Sequence, residues 1–284
     1  MNELNWIDYL RKKVKPAKDL LVGIGDDCAV VKSGNQKLLL KSDLFIEGVH
    51  FSCGKINFED IGKRAVARVL SDFAACAGEP KFIGVSLGTP KDLDKKYLKQ
   101  ILKGILELSK EYKFSLVGGD TSNSKQLVLD VWGIGSCKKP ILRSGAKVGD
   151  YIFITSKLGQ RPFEKPFTPR LKEAQYLVKN FKVNSMIDIS DGFVLDLYRI
   201  LKLSKKGAIL DKKNIPTTMG VGDLYRGEDY ELIFTIDNRE TEKNINLLKK
   251  KFYYVGKIFS AKVGYKIKDN NKLVKLKVKG YTHL

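Results

Sequence analysis

Several short apolar runs in this chain end in aspartate beside glycine or serine. A carboxylate at the end of a buried strand lies where the sheet stops and a loop begins, and ligands of open α/β sheets bind at that edge. Aspartate is a hard oxygen ligand that suits Mg²⁺, and Mg²⁺ in turn binds phosphates. Five such runs predict a site for metal ions and a polyphosphate: residues 20–27, 38–43, 69–72, 115–120 and 186–191.

The elements that would hold these aspartates mix helices and strands along the whole chain. Apolar positions at helical spacing predict a helix at 58–77, with Asn57 as its N-cap. Similar patterns predict further helices at 2–13, 92–112, 171–181, 193–203 and 239–250. Strands are predicted at 29–32, 37–45, 82–87, 114–117, 126–134, 151–155, 230–236 and 252–259, with a polar hairpin at 262–279.

Because strands and helices occur in both halves, we predict an α/β (α+β) fold with two domains. A segment rich in Pro, Gly and Lys, residues 138–150, is the predicted linker. It separates an N-terminal domain, 1–137, from a C-terminal α/β domain, 151–284. At 284 residues, the chain is long enough to bury a sizeable core in each.

Composition excludes several classes of function. The net charge of +20 comes mostly from scattered lysines, without a nucleic-acid motif, so we expect a solvated surface and no nucleic-acid partner. No apolar run approaches the roughly 18 residues of a membrane span, and the N-terminus lacks the pattern of a signal peptide. We therefore expect a cytoplasmic protein that binds no membrane. The four cysteines form no CxxC pair, so neither structural zinc nor a disulfide framework is predicted.

Seven motifs occur in a characteristic order: GIGDDCAVV, KSDLFIEGVHF, AVARVLSDFAACAGEP, LVGGDTS, RSGAKVGD, MIDISDG and GEDYEL. Together they resemble the thiamine-monophosphate kinase family, whose superfamily includes aminoimidazole ribonucleotide synthetase, selenophosphate synthetase and a hydrogenase maturation protein. The resemblance implies that ATP phosphorylates thiamine monophosphate to thiamine diphosphate by direct in-line transfer with Mg²⁺. It also implies an N-terminal ATP- and metal-binding domain, and a homodimer whose N-terminal strands form a shared barrel.

The resemblance also implies which residues form the site. The metal ligands would be Asp27, Ser42, Asp43, Asp72, Asp120, Asp188 and Asp191, of which Asp43 and Asp72 would be catalytic. The nucleotide would contact Gly119, Asp120, Arg143 and Ser190. Thiamine phosphate would contact His50, Glu228 and Tyr281. Lys41 stands where the family often has a small hydroxyl residue, which leaves its role open. The segment 156–185 is shorter than usual in the family, which leaves the nucleotide preference open.

The residues by themselves leave alternatives open. Either Asp26 or Asp27 could be the ligand of its turn, and the resemblance favours Asp27. Asp72 could pair with Arg68 on its helix, and Asp191 could cap the helix that follows. Arg143 could be a plain linker charge, Glu228 and Asp229 strand caps, and Tyr281 a core aromatic. The alternative functions are another ATP-using enzyme of the same superfamily and a non-catalytic nucleotide-binding protein.

Overall fold

The computed structural model describes residues 3–160, 162, 165–270 and 272–282, and the strands in this part of the chain form two sheets. The first sheet contains β1 (Leu20–Val22), β2 (Ala29–Ser33), β3 (Gln36–Ile46), β4 (Glu79–Thr89), β5 (Ser115–Gly118), β6 (Thr121–Asn123) and β7 (Val128–Cys137). Its strand order is β1-β2-β3-β7-β4-β5, and β6 also pairs with β4. The pairs β2–β3, β3–β7 and β7–β4 are antiparallel, whereas β5 and β6 lie parallel to β4.

The second sheet is built entirely from later residues. It contains β8 (Tyr151–Ile154), β9 (Val183–Asp188), β10 (Lys206–Asp211), β11 (Leu232–Ile236), β12 (Tyr253–Ser260), β13 (Tyr265–Asp269) and β14 (Lys272–Lys275). Its strand order is β14-β13-β10-β12-β8-β11-β9. Because β9 is an edge strand, the loop that follows Asp188 is at the border of this sheet.

The helices are α1 (Glu3–Lys13), α2 (Phe58–Ala75), α3 (Lys95–Tyr112), α4 (Leu171–Asn180), α5 (Phe193–Ser204) and α6 (Asn238–Lys251). The central one is α2, which packs on β3 and β7 of the first sheet and also contacts β9 of the second. Its N-cap is Asn57, as predicted, and the Asn57 side chain accepts the Asp60 N–H at 2.7 Å. One apolar cluster includes Phe73 of α2 and Phe234 of the second sheet. Helix α2 therefore connects the two halves of the fold.

The two faces of the first sheet have different surroundings. Along β3, Leu39 and Phe45 are buried on the side of α2, and the intervening Lys41 on the same side reaches Asp72 of α2. Leu40, Ser42 and Leu44 point to the other side, and we call this other side, where Phe82 of β4 also lies, the open face. Leu44 is 52% exposed and Phe82 is 45% exposed. The open face thus presents apolar side chains to solvent.

The structure confirms a mixed α/β fold and corrects several details of the elements. Strand β3 continues through Asp43 to Ile46, so Asp43 does not end a strand. Asp72 lies within α2, as the predicted helix 58–77 has it, so the aspartate-ended run 69–72 belongs to a helix and not to a strand edge. β6 and β10 were not predicted, because each is short and carries polar or charged residues that hide the alternation. Asn2 of the first predicted helix and Asn271 of the predicted hairpin lie outside the described residues.

Two features of the architecture concern larger assemblies. The strand order of the first sheet runs from β1 to β5 without a pairing between these two ends, so the described chain contains no closed barrel. Across the same described ranges, no helix combines the length and the apolar character that crossing a membrane requires.

Candidate active site

A cavity of about 370 Å³ lies where the first sheet, α2, α5 and the loop before β11 meet. Acidic and basic side chains both line it, together with apolar ones such as Ile7 of α1 and Val49. The predicted site residues that line this cavity are Asp43, His50, Asp72, Arg143, Asp188, Ser190, Asp191, Glu228 and Tyr281. The chain thus brings together residues from seven separate segments of sequence.

Three carboxylates from three segments of the chain converge beside the cavity. Asp27 follows β1, Asp72 lies in α2 and Asp188 ends β9, and one oxygen of each lies within 4.8 Å of the others. All three side chains are buried. Burial, and then the charge of Asp27, raises the pKa of Asp188 to about 6, and burial also raises the pKa of Asp72. The ionised cluster therefore needs cations to neutralise it.

Lys41 of β3 supplies one such cation. Its Nζ lies 3.2 Å from Asp43 Oδ1 on the same strand and 3.1 Å from Asp72 Oδ2 on α2. Burial opposes ionisation of Asp43, but Lys41 and Arg68 outweigh it and lower the pKa of the Asp43 carboxyl group. Asp72 thus pairs with Lys41 rather than with Arg68, whose Nη1 lies 2.8 Å from Glu228 Oε1.

Arg143 holds the turn that follows β1. Its Nε donates to Asp27 Oδ2 at 3.2 Å, and its Nη2 donates to Asp27 Oδ1, so the carboxylate is held at both oxygens. Asp26 instead accepts the backbone N–H groups of Asp27 at 3.1 Å and of Arg143 at 3.2 Å. Asp27 therefore joins the carboxylate cluster, whereas Asp26 makes the hydrogen bonds of a turn residue. Arg143 is an integral part of this turn and not a plain linker charge.

Glu228 is fixed by two arginines of α2. Arg64 Nη2 donates to Glu228 Oε2, and Arg68 Nη1 donates to Oε1 at 2.8 Å and also to the Tyr230 hydroxyl at 2.7 Å. Glu228 and Tyr230 both adopt positive φ angles, +68° and +51°, which cost free energy in residues other than glycine. The surrounding ion pairs compensate for this strain. Glu228 is therefore not a simple cap of the next strand, although Asp229 does accept the Gly159 N–H at 2.9 Å.

His50 and Tyr281 line the cavity from the loop after β3 and from the C-terminal segment. His50 Nδ1 accepts the Ile46 backbone N–H at 3.0 Å, and its ring stacks on Phe45. Because Nδ1 is an acceptor here, neutral His50 carries its proton on Nε2. The Tyr281 backbone N–H donates to the Asp191 carbonyl oxygen at 2.9 Å. Tyr281 is 49% exposed, so it is not a core aromatic.

Asp191 does not cap α5, in contrast to one alternative from the sequence. Asp196, one turn into the helix, accepts the backbone N–H groups of Asp191 at 3.0 Å and of Gly192 at 3.1 Å. The Asp191 carboxylate faces Arg199 instead, with Oδ2 at 2.6 Å from Nη1. Asp191 thus stands at the cavity wall with its backbone held by the helix and its charge balanced by Arg199.

Four predicted residues do not line the cavity: Asp27, which is buried and held by the cavity residue Arg143, and Ser42, Gly119 and Asp120. Ser42 lies on the open face, where its hydroxyl donates to Asp130 Oδ1 at 2.8 Å, so this hydroxyl points away from Asp43. Gly119 and Asp120 follow β5, which is three strands away from β3 in the sheet order. A Cβ on Gly119 would lie 1.8 Å from the Val85 carbonyl oxygen, so this close approach requires glycine.

Comparison with known proteins places this site in a family. Residues 25–137 match the family model described as AIR synthase related protein, N-terminal domain. A thiamine-monophosphate kinase of Buchnera aphidicola subsp. Schizaphis graminum is 33% identical over 97% of this chain and 96% of its own length. A thiamine-monophosphate kinase of Pyrococcus horikoshii is 30% identical over 92% of this chain and 91% of its own length.

The chain belongs to the thiamine-monophosphate kinase family. A solved structure described as "AaThiL complexed with AMPPCP and TMP" superimposes on this family member with a TM-score of 0.86. The two are 26% identical in sequence, and the match covers 100% of this chain and 97% of the other. The match to this family's fold thus extends along the chain.

Some residues in or beside the cavity of this kinase family member were not predicted. Arg64, Arg199 and Tyr230 fix Glu228 or Asp191, and each partner is distant in sequence or in an irregular loop. One signal was available for Arg64. Arg64, Arg68 and Asp72 follow one another at intervals of four residues along the largely buried part of α2, which places three charges on one side of the helix. A charged stripe of this kind indicates a site and not a solvated face.

Proposed function

We propose that this protein transfers the γ-phosphoryl group of ATP to thiamine monophosphate and thereby forms thiamine diphosphate. The observation that carries the proposal is the match over the entire chain to a relative described as bound to AMPPCP and TMP. The cavity agrees with this reaction, because it presents carboxylates for a metal-bound polyphosphate and arginines for anionic oxygens.

Magnesium fits the donor set of the cavity. Mg²⁺ prefers carboxylate oxygens and keeps several of its waters, and Asp27, Asp72 and Asp188 offer such oxygens within 4.8 Å of one another. We propose that these three residues, together with Asp43 and Asp191 at the cavity wall, would hold it. When bound, Mg²⁺ would neutralise the charge of the nucleotide phosphates.

The remaining roles follow from where each side chain lies. Asp43 and Asp72, at the floor of the cavity, are the proposed catalytic residues. Arg143 is held by Asp27. A guanidinium group has five N–H donors, so Arg143 has donors left for a nucleotide phosphate. Ser190, which also lines the cavity, is the other proposed nucleotide contact. His50, Glu228 and Tyr281 form the proposed contacts to thiamine monophosphate.

We propose direct in-line transfer, without a phosphorylated enzyme. His50 is the histidine that lines the described cavity, and its Nδ1 already accepts a backbone N–H. Its role is therefore assigned to acceptor binding rather than to nucleophilic attack. The chain supplies positioning and charge balance, which are the main requirements of phosphoryl transfer.

A homodimer is proposed from the open face of the first sheet. Leu44 and Phe82 are large apolar side chains that a second copy could cover. Within one chain, Gly119 and Asp120 stand three strands away from Asp43, which at an inter-strand spacing of about 4.8 Å is roughly 14 Å. A second copy could bring this turn to the nucleotide, and two first sheets would form the shared barrel that the resemblance implies.

The proposed roles of Ser42 and Asp120 as metal ligands depend on this dimer, or on the Ser42 backbone carbonyl, because the Ser42 hydroxyl faces the open side.

The proposed domains are 1–137 and 151–284, with 138–150 as their linker. The division agrees with the two sheets, which use strands from 20–137 and from 151–275.

The test is to incubate the purified protein with ATP, Mg²⁺ and thiamine monophosphate and to measure thiamine diphosphate. Free thiamine serves as the comparison substrate, because it lacks the phosphate that anchors the acceptor for in-line attack. We expect formation of thiamine diphosphate and little reaction of thiamine. Absence of thiamine diphosphate while ATP is hydrolysed with another acceptor would favour a different enzyme of the superfamily.

A further inference from the structure

Lys41 places a positive charge between two carboxylates of the cavity, Asp43 and Asp72. Its Nζ lies 3.2 Å from Asp43 Oδ1 and 3.1 Å from Asp72 Oδ2, so one ammonium group joins a strand to a helix. Both partners are proposed metal ligands, and Lys41 itself lines the cavity. A cation that bridges two carboxylates at such distances makes the same type of contact as a metal ion.

We infer that the Lys41 ammonium is a tethered cation that takes the place of a divalent ion between Asp43 and Asp72. Lys41 is thus a positioning residue, which acts on the reaction through these two aspartates. The inference rests on the proposed function only in assigning the aspartates to the phosphoryl-transfer site. It goes beyond that function by naming which cation balances which carboxylates in this chain.

The charges around Lys41 explain why such a cation is useful. Asp27 is neutralised by Arg143, and Asp188 accepts a hydrogen bond from the Ser71 hydroxyl at 2.6 Å. Among the ion pairs of the described residues, no arginine contacts Asp43 or Asp72; the charge of Arg68 also acts on Asp43, but Lys41 is the cation in contact with both. Without Lys41, the buried Asp72 and the partly buried Asp43 would face each other and repel.

The position of Nζ also determines where a divalent ion fits. Nζ already occupies the space between the Asp43 and Asp72 oxygens, so an ion and the ammonium cannot share it. Asp27, Asp72 and Asp188 offer a second set of oxygens, within 4.8 Å of one another, which shares only Asp72 with the pair that Lys41 joins. We therefore expect divalent ions at the oxygens of Asp27, Asp72 and Asp188, and none that bridges Asp43 Oδ1 and Asp72 Oδ2.

The first experiment compares Lys41→Met, which keeps the side-chain length and removes the charge, with Lys41→Arg, which keeps the charge. Lys37→Met is the matched control, because Lys37 lies on the same strand and the same side of the sheet and makes no ion pair within the described residues. Thermal unfolding is measured in EDTA, and bound Mn²⁺ is counted by electron paramagnetic resonance without nucleotide.

We expect Lys41→Met to unfold at least about 3 °C below the wild type in EDTA, to recover this loss with Mn²⁺, and to bind one more Mn²⁺ per chain. Lys41→Arg and Lys37→Met should bind the wild-type number. An unchanged Mn²⁺ number in Lys41→Met, or wild-type stability in EDTA, would overturn the inference.

A double variant keeps the test decisive if Lys41→Met folds poorly. Lys41→Met combined with Asp72→Asn removes the repulsion as well as the ammonium, so it should be more stable in EDTA than Lys41→Met alone. If the double variant is no more stable, Lys41 does not act through charge and the inference fails. A wild type that forms no thiamine diphosphate would contradict the proposed function, whereas the Mn²⁺ numbers and melting temperatures would still decide the role of Lys41.

Discussion

Asp43 and Asp72 reach the floor of the cavity from a strand and from a helix, and both contact the Lys41 ammonium. The pKa of Asp43 is lowered by Lys41 and Arg68 against the effect of burial, whereas burial raises the pKa of Asp72. The pKa values of these two neighbouring carboxyl groups thus shift in opposite directions, although both groups contact the same lysine. The chemistry of the site therefore depends on cations that keep both ionised.

If Asp43 and Asp72 are catalytic, replacing either one with asparagine should reduce turnover by roughly 100-fold or more, which corresponds to about 2.7 kcal/mol of transition-state stabilisation. Asparagine keeps the shape but loses the charge and one oxygen ligand. The control is Asp130→Asn, because Asp130 is a carboxylate of β7 on the open face. Thiamine diphosphate formation gives the rate, and circular dichroism checks the fold. Near-normal turnover of Asp72→Asn would make Asp72 a residue of the helix core only.

The pKa of Asp188 predicts how the stability of the metal-free protein depends on pH. Burial and Asp27 raise this pKa to about 6 from an unfolded value of 3.8. Asp188 therefore binds a proton more tightly in the folded state than in the unfolded state. Its contribution to the free energy of unfolding is fully present below about pH 4 and is lost as the pH rises through about 6. The loss amounts to up to about 3 kcal/mol.

Urea unfolding in EDTA between pH 4 and pH 7 measures this effect. The decline in unfolding free energy with rising pH should be smaller in Asp188→Asn than in the wild type. Mg²⁺ with nucleotide should also reduce the decline, because cations stabilise the ionised carboxylate. Equal slopes for wild type and Asp188→Asn in EDTA would contradict the assignment of this pKa.

At the residue scale, sequence motifs predicted nine of the 21 residues that line the cavity, because motifs such as SD and DISDG carry their aspartates themselves. The partners of these residues were harder to predict. Arg64 and Glu228 are separated by 164 positions, and no local pattern connects them. The ion pair of Lys41 with Asp72 likewise depends on how α2 packs on β3, which periodicity alone does not determine.

At the scale of elements, the turn after β5 offers a direct test of close packing. A Cβ on Gly119 would lie 1.8 Å from the Val85 carbonyl oxygen, whereas one on Gly118 would meet open space. Both glycines have φ near +150°, so both alanine variants carry the same backbone strain. Gly119→Ala should therefore lose about 1–3 kcal/mol more unfolding free energy than Gly118→Ala. Equal losses in urea unfolding would show that the β4–β5 edge is not tightly packed there.

The elements themselves were largely predictable where periodicity was long. The predicted helices 58–77 and 193–203 agree with α2 and α5 to within two residues at each end. The strand that carries Asp43 was predicted at 37–45 and runs from Gln36 to Ile46, so it agrees to within one residue at each end. What the sequence did not show is that Asp43 faces Lys41 and α2 from inside this strand.

At the scale of the molecule, the open face predicts association. Replacing the exposed Leu44 and Phe82 with aspartate together should yield monomers, because charges on this apolar surface oppose its burial. Leu102→Asp on the exposed side of α3 is the matched control, since it adds the same charge to a surface outside the proposed interface. Sedimentation equilibrium measures the mass, and a monomeric wild type would contradict the proposed homodimer.

The central claim is that the aspartates bind the nucleotide through metal. Thermal melts with the non-hydrolysable analogue AMPPCP, with Mg²⁺, and with both test this claim most directly. Mg²⁺ alone should stabilise weakly, because it keeps its waters and binds protein carboxylates weakly. A ligand at about 100 times its Kd stabilises by about 2.7 kcal/mol, which at roughly 2–4 °C per kcal/mol is several degrees. The account predicts this shift with AMPPCP and Mg²⁺ together and little shift with AMPPCP in EDTA. Equal stabilisation by AMPPCP in EDTA would contradict it.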